Sequence, residues 1–173
     1  MSKPKENLLA DVTGESTARN RYIYYAEIAR QEGYGYIAKI LEEVADNEKY
    51  HALEELKLLL KERTTIQNLK EAIEGERNES EEMYPRFAHE AEVEGERPAE
   101  ILFTQISKIE TEHRARFKKL LDMVQSGTVF KREQPIKWKC SICGYTHEGC
   151  EPPNRCPYCK SPREYYEPAN LDV

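Results

Sequence analysis

The chain has 173 residues, of which 34% are charged, with a net charge of -6 and a mean hydropathy of -0.82. No apolar run approaches the roughly 18 residues that a membrane helix needs, and Lys and Arg are interspersed with Glu rather than clustered as phosphate contacts require. Neither a membrane nor a nucleic acid is therefore an expected partner, and the polar start MSKPKENLLADV, which lacks the apolar core of a secretory signal, sets the expected location as cytoplasmic.

Four long helices are expected, at about residues 5 to 32, 36 to 62, 67 to 94 and 98 to 126, all rich in Glu, Lys, Ala and Leu. In the first, Ala18, Tyr22, Tyr25 and Ala29 recur at helical spacing. In the second, Ile37, Leu41 and Val44 lead toward Glu48. Gly33 and Gly35 separate helices one and two, Gly95 and Pro98 separate three and four, and Gly127 closes the last. Pro85 lies inside the third helix, where a missing backbone donor is expected to bend the chain just after Glu76 and Glu79. Short connections imply two antiparallel helical hairpins. The brief link near Thr64 to Gln67 leaves an exchange of helices between protomers open.

The hairpins are copies of one another. Tyr-x-x-(Tyr/Phe)-Ala-x-x-Ala-x-x-Glu-Gly, followed fifteen residues later by Glu-x-x-His, runs from Tyr22 to His51 and again from Tyr84 to His113. Residues i and i+3 share a helix face, so Glu48 with His51, and Glu110 with His113, can each present a carboxylate and an imidazole to a metal. Helices one and three then need one inward carboxylate each. Glu15 and Glu76 occupy nearly equivalent places upstream of the shared tyrosines, with Glu79 on the face of Glu76. One isolated Glu on such a chain is a solvated residue, and an isolated Glu-x-x-His is weak evidence; repetition at one offset is what lifts the signal. His89 and His147 lack such a glutamate and stay unassigned.

A carboxylate-rich set with one imidazole per metal suits iron or manganese better than zinc. Five glutamates contribute -5, which two ferrous ions reduce to -1, so the charge is tolerable. Glu79 is surplus to a four-carboxylate, two-histidine set, and an iron that hardens on oxidation is expected to move between Glu79 and His51. Tyr22 and Tyr84 are candidates to hold ligand carboxylates by hydrogen bonds, against the plainer reading of core aromatics.

From about Pro135 the helical pattern stops, and a segment of some 39 residues rich in Cys, Pro, Gly and aromatics takes over. Such a segment is too short for a self-sufficient core. Cys140, Cys143, Cys156 and Cys159 have the spacing Cys-x2-Cys-x12-Cys-x2-Cys, two turns whose thiolates close a tetrahedron for iron or zinc. Gly144-Tyr145 after the first pair, Pro157 after Cys156, and nearby Trp138 and Tyr166 resemble a rubredoxin, and that resemblance implies iron. Cys150 lies between the pairs and is left over, with a small buried residue the preferred reading.

Together these motifs resemble the rubrerythrin family: Gly14-Glu15-Ser16, Ala18 to Tyr22, Asn47-Glu48 to His51, Met83-Tyr84-Pro85 and the four-cysteine tail. The resemblance implies a mainly α fold, with a ferritin-like four-helix bundle over 1–134 followed by a small rubredoxin-like domain with one Fe on four cysteines over 135–173. It further implies two non-haem irons, oxo- or hydroxo-bridged when oxidised. Glu48 and Glu110 are then bridges, Glu15 a terminal ligand on one iron, Glu76 and His113 terminal ligands on the other, and Glu79 and His51 the exchanging pair. The implied activity is reduction of hydrogen peroxide to water in oxidative stress defence. Its implied electron donor is rubredoxin or an NAD(P)H-dependent reductase, and its implied state a homodimer or larger. Iron oxidation and storage by a ferritin-like bundle is the rival reading, and a zinc-stapled binding module a third.

Overall fold

Residues 2–170 are described here from a computed structural model of the chain. Their helices begin and end within about two residues of the positions read from sequence. They are α1 (Lys3–Gln31), α2 (Gly35–Leu60), α3 (Thr65–Asn78), a π-helical turn (Glu79–Met83), α4 (Tyr84–Glu94) and α5 (Arg97–Ser126). A small β-sheet follows, formed by β1 (Ile136–Cys140), β2 (Thr146–Gly149) and β3 (Tyr166–Pro168). Among the described residues no helix is long and apolar enough to cross a membrane. The chain divides into two compact units, Met1–Arg63 and Thr64–Val173.

In the first unit α1 and α2 pack as an antiparallel hairpin. Its seam is alanine: Ala26, Ala29 and Ala38 are buried together with Leu41 packed against them, and Ala45 and Ala52 continue the seam at seven-residue spacing. Small side chains let the two backbones approach closely, and Arg30 ties the hairpin to Glu42 at 2.8 Å. Gly33 makes the turn at φ +87°, and Tyr34 N–H returns to Ala29 O at 2.8 Å. That closing bond caps the helix in the left-handed conformation that only glycine adopts without strain.

The second unit repeats the device. Gly95 turns at φ +77° and Glu96 N–H returns to Ala91 O at 2.8 Å, at positions offset by one repeat from Gly33 and Ala29. The start of α3 is fixed by a reciprocal capping box, in which the Thr64 side chain accepts from Gln67 N–H while the Gln67 side chain accepts from Thr64 N–H.

Where Pro85 led us to expect a bend, the structure shows a π turn. Tyr84 N–H donates to Glu79 O, five residues back, and Pro85 then falls in the first turn of α4, where its missing donor costs little. The shift frees Ser80 O, which accepts from Ser107 Oγ of α5 at 2.9 Å. One carbonyl released by the wider turn is thus satisfied across the hairpin. Ser80 is itself buried, its hydroxyl donating to Glu76 O at 2.6 Å.

In the tail the strand order is β2-β1-β3, antiparallel throughout, with Trp138 opposite His147 on one side and Pro168 on the other. Trp138, Cys140, Cys156 and Tyr166 form its core, with Ile136, Cys143 and Cys159 packed around them. Trp138 Nε1 donates to Gly149 O at 2.9 Å, and the Arg132 guanidinium lies 5.3 Å from the indole centre.

Candidate metal centres

Each hairpin assembles one half of the expected helical site. In the first, Glu15 from α1 meets Glu48 and His51 from α2: His51 Nδ1 lies 3.1 Å from Glu15 Oε2 and 2.9 Å from Glu48 Oε2. In the second, Glu76 from α3 meets Glu110 and His113 from α5, with His113 Nδ1 at 2.7 Å from Glu110 Oε2 and 3.8 Å from Glu76 Oε2. The same ring nitrogen faces the carboxylates in both. Within each trio one donor atom per residue lies within 4.8 Å of the others.

These spacings suit a bound cation. Two ligand atoms at about 2.1 Å from one metal and at right angles to each other are about 3.0 Å apart, close to three of the four imidazole–carboxylate separations, with Glu76 Oε2 farther off at 3.8 Å. Electrostatics point the same way. Glu76 Oε2 is buried with no hydrogen-bond partner, and burial, then the adjoining Glu110 carboxylate, push the Glu76 pKa upward. In the first hairpin Glu15, and after it Glu48, pull the His51 imidazole upward. A buried carboxylate oxygen pressed against another carboxylate and without a hydrogen-bond partner, as Glu76 Oε2 is, is a position where a bound cation would offset the charge.

Glu79 stands outside these trios. It opens the π turn, and its charge bears on both Glu76 and Tyr84. Tyr84 packs against Phe87 and Phe103 at ring separations of 6.2 and 6.1 Å, and burial, then the Glu79, Glu110 and Glu76 charges, raise its pKa. Tyr22 sits 6.3 Å from the Tyr25 ring. Neither hydroxyl hydrogen-bonds a carboxylate among the described residues.

Two acidic residues escaped the sequence reading. Asp11 precedes Glu15 by one turn, Glu55 follows His51 by one turn, and the two carboxyls meet. Asp11, then burial, push the Glu55 pKa upward, and Glu55 Oε2 is buried without a partner. Their spacing of four from known candidates was the available signal. It was masked because the corresponding positions of the second repeat, Ala72 and Phe117, carry no charge.

The tail brings all four expected cysteines together. Sγ of Cys140 lies 3.7 Å from that of Cys159, and Sγ of Cys143 lies 3.6 Å from that of Cys156, far beyond a disulfide bond. A tetrahedron of thiolates at about 2.3 Å from a metal has edges of about 3.8 Å, so the cage is close to its loaded size. The two turns match: Gly144 N–H returns to Cys140 O at 2.8 Å and Lys160 N–H to Cys156 O at 3.0 Å, with φ of +77° and +64° after the second cysteine of each pair. Burial opposes the Cys156 thiolate, but the Cys159 N–H, the Tyr166 hydroxyl and the Tyr158 N–H outweigh it and bring Cys156 down to about 6. Such N–H groups aimed at sulfur also set the potential of a thiolate-bound iron. Cys150 is exposed, against the expectation of a buried residue, its thiol 3.8 Å from Glu133 O. The loop between the pairs turns outward there and offers it no core to enter.

The raised Glu76 pKa has a measurable consequence. A carboxyl whose pKa is higher folded than unfolded adds stability that is present below the ordinary carboxylate range and lost as pH rises through the folded value. The metal-free α3–α5 hairpin is therefore less stable at neutral pH than with Glu76 protonated, and a hard cation would offset the loss. Mn2+, which carboxylates take in preference to thiolates, is expected to raise the melting temperature at pH 7 and to do so much less at pH 5. Circular dichroism melts of metal-free protein check this; an equal shift at both pH values would count against it.

Comparison with known proteins places these features together. Residues 6–121 match the family model described as Rubrerythrin, and residues 138–167 that of the rubrerythrin rubredoxin-like domain. The chain is 43% identical to a "Putative rubrerythrin" of Methanocaldococcus jannaschii, covering 96% of this chain and 93% of that one. It is 39% identical to the rubrerythrin of Clostridium perfringens and 37% identical to that of Nitratidesulfovibrio vulgaris, in each case over 96% of this chain and 94% of the relative.

Proposed function

The chain belongs to the rubrerythrin family, and on that premise we propose that it is a non-haem di-iron peroxidase reducing hydrogen peroxide to water in oxidative stress defence. One observation carries the reading: two carboxylate–imidazole half-sites and a four-thiolate cage occur in one chain. Reduction of one peroxide to two waters consumes two electrons and two protons. When bound, two ferrous ions in the helical site supply the electron pair, and an iron on the cysteines supplies the single-electron inlet that recharges them. The bundle is assigned to 1–134 and the electron carrier to 135–173. Rubredoxin or an NAD(P)H-dependent reductase is the proposed donor.

The protein's own part is positioning, charge and protons. Glu48 and Glu110 are the proposed bridges, and Glu15, His51, Glu76 and His113 the proposed terminal ligands. Glu79, which opens the π turn, is the proposed surplus carboxylate that would exchange with His51 as an iron ligand. Glu55, whose carboxyl Asp11 pushes toward the protonated form, is placed to hold a proton one turn from His51. Iron storage is the weaker rival, because a store has no evident need of a one-electron inlet.

The deciding experiment mixes anaerobically reduced protein rapidly with peroxide or with oxygen and follows both iron centres. Peroxide is expected to oxidise both centres faster than oxygen does; a preference for oxygen, with uptake of many irons per chain, would replace the peroxidase by the store. Glu79→Ala is expected to slow the peroxide reaction and spare the colour of the tail, and an unchanged rate would remove Glu79 from the site.

A further inference from the structure

We propose that Ser107 and Arg114 are positioning residues for the candidate metal centre: they pin one inserted residue in the π turn and so hold Glu76 in phase with Glu110 and His113. The inference rests on the di-iron reading and deepens it. It starts from a mismatch between the two copies of the repeat. Glu32 recurs as Glu94, Tyr22 as Tyr84, Glu48 as Glu110 and His51 as His113, all at an offset of 62 residues. Gly14-Glu15 recurs as Gly75-Glu76, at an offset of 61. The second copy therefore has one extra residue between its first carboxylate and its tyrosine.

An α-helix turns by about 100° per residue, so the extra residue in a regular helix would swing Glu76 about 100° off the face that Glu15 occupies in the first copy. The structure shows no such swing. Glu76 meets Glu110 and His113 as Glu15 meets Glu48 and His51. The π turn absorbs the insertion, Tyr84 N–H reaching back to Glu79 O. Nothing in the backbone alone fixes such a turn at one place, since any N–H along a helix can bond four or five residues back; side chains have to fix it.

Two side chains of α5 grip this turn. Ser107 Oγ donates to Ser80 O at 2.9 Å, and the Arg114 guanidinium pairs with the carboxylate of the next residue, Glu81. Ser107 lies three residues before Glu110 and Arg114 four after it, so both grips share the face of α5 that carries the ligand. Both are shielded from water: Ser80 is buried, and the Arg114 side chain is 21% exposed. The first copy has alanine at both matching positions, Ala45 and Ala52, each buried in the seam against α1, which runs as an uninterrupted α-helix. The hydroxyl and the guanidinium thus occur in the copy that has an insertion to hold. With them removed, the extra residue can move past Glu76 toward the start of α3, which turns the carboxylate away from Glu110.

The test gives α5 the residues of the first copy. In full-length protein whose cysteine site is loaded with zinc, Ser107→Ala combined with Arg114→Ala is expected to weaken Mn2+ binding in the helices by at least about tenfold, read by electron paramagnetic resonance titration. Alanine is the best helix former, so this loss would not follow from a weaker α5. Amide exchange across residues 80–84 before Mn2+ is added, followed by mass spectrometry, is expected to quicken in the same variant as the turn loses its anchors. Ser107→Ala alone, which deletes one hydroxyl, is expected to move both readouts in the same direction, and Ser107→Thr, which keeps the hydroxyl, to restore them. Ser126→Ala removes a hydroxyl bonded to Asp122 O at the far end of α5 and is expected to leave Mn2+ affinity unchanged.

Unchanged Mn2+ affinity or unchanged exchange in the Ser107→Ala variants would overturn the proposal, as would an equal loss of affinity in Ser126→Ala. If the unmutated protein takes no Mn2+ into its helices, the di-iron reading fails, and the exchange rates still decide whether Ser107 and Arg114 hold the turn.

Discussion

Glu110→Gln is expected to abolish peroxide turnover, by more than about 100-fold, since even groups that merely orient metal ligands are each worth 10–100-fold. Glu110 stands between the other members of its trio: its Oε2 is 2.7 Å from His113 Nδ1, and its carboxylate is the neighbour that acts most strongly on Glu76. The amide keeps the volume but brings an N–H donor and no charge to the position proposed to bridge both irons. The same change should make the metal-free protein more stable at pH 7, because the repulsion on Glu76 is gone. Activity and stability thus move in opposite directions, which a merely misfolded variant would not show. Iron content, turnover and melting temperature of metal-free protein read the two effects, and a variant that loses stability along with activity would contradict the site as built here.

The helical half-sites were legible because metal ligation imposes a spacing on a helix, and the repeat supplied that spacing twice. Glu15 and Glu76 followed from the need for one inward carboxylate on each remaining helix and from their nearly equivalent places upstream of Tyr22 and Tyr84, and each lies within reach of its Glu-x-x-His pair. The helix ends were legible for a similar reason: Gly33, Gly95 and Gly127 each take positive φ, a local need that glycine announces. The π turn was not legible. It combines the donor missing at Pro85 with a cross-helix bond from Ser107 Oγ to Ser80 O, and that second partner lies 27 residues away. Asp11 and Glu55 were hidden because a repeat draws attention to what its copies share, whereas these two exist in one copy only.

Cys156→Ser is expected to disable the tail and stop repeated turnover while leaving one round of reaction intact. Cys156 is fully buried among Trp138, Cys140 and Tyr166, in a sheet of three short strands whose core is partly the metal cage itself. Metal binding of this kind contributes about 10–16 kcal/mol in small zinc-stapled domains, more than so few apolar side chains can supply. Loss of one thiolate therefore removes the colour of the iron and loosens the fold around it. Trp138 is the sole tryptophan of the chain and is buried in this core, so its fluorescence reports the tail alone; it should shift to the red as the indole meets water. The helical trios contain no cysteine and should load iron as before. Helical sites reduced chemically beforehand are expected to consume one peroxide per site, after which the reaction stops, and steady-state turnover with an electron donor should fall by more than about 100-fold. Unimpaired steady-state turnover in a protein whose Trp138 emission has shifted would show that electrons reach the helical site without the tail, and the four cysteines would then be a structural staple.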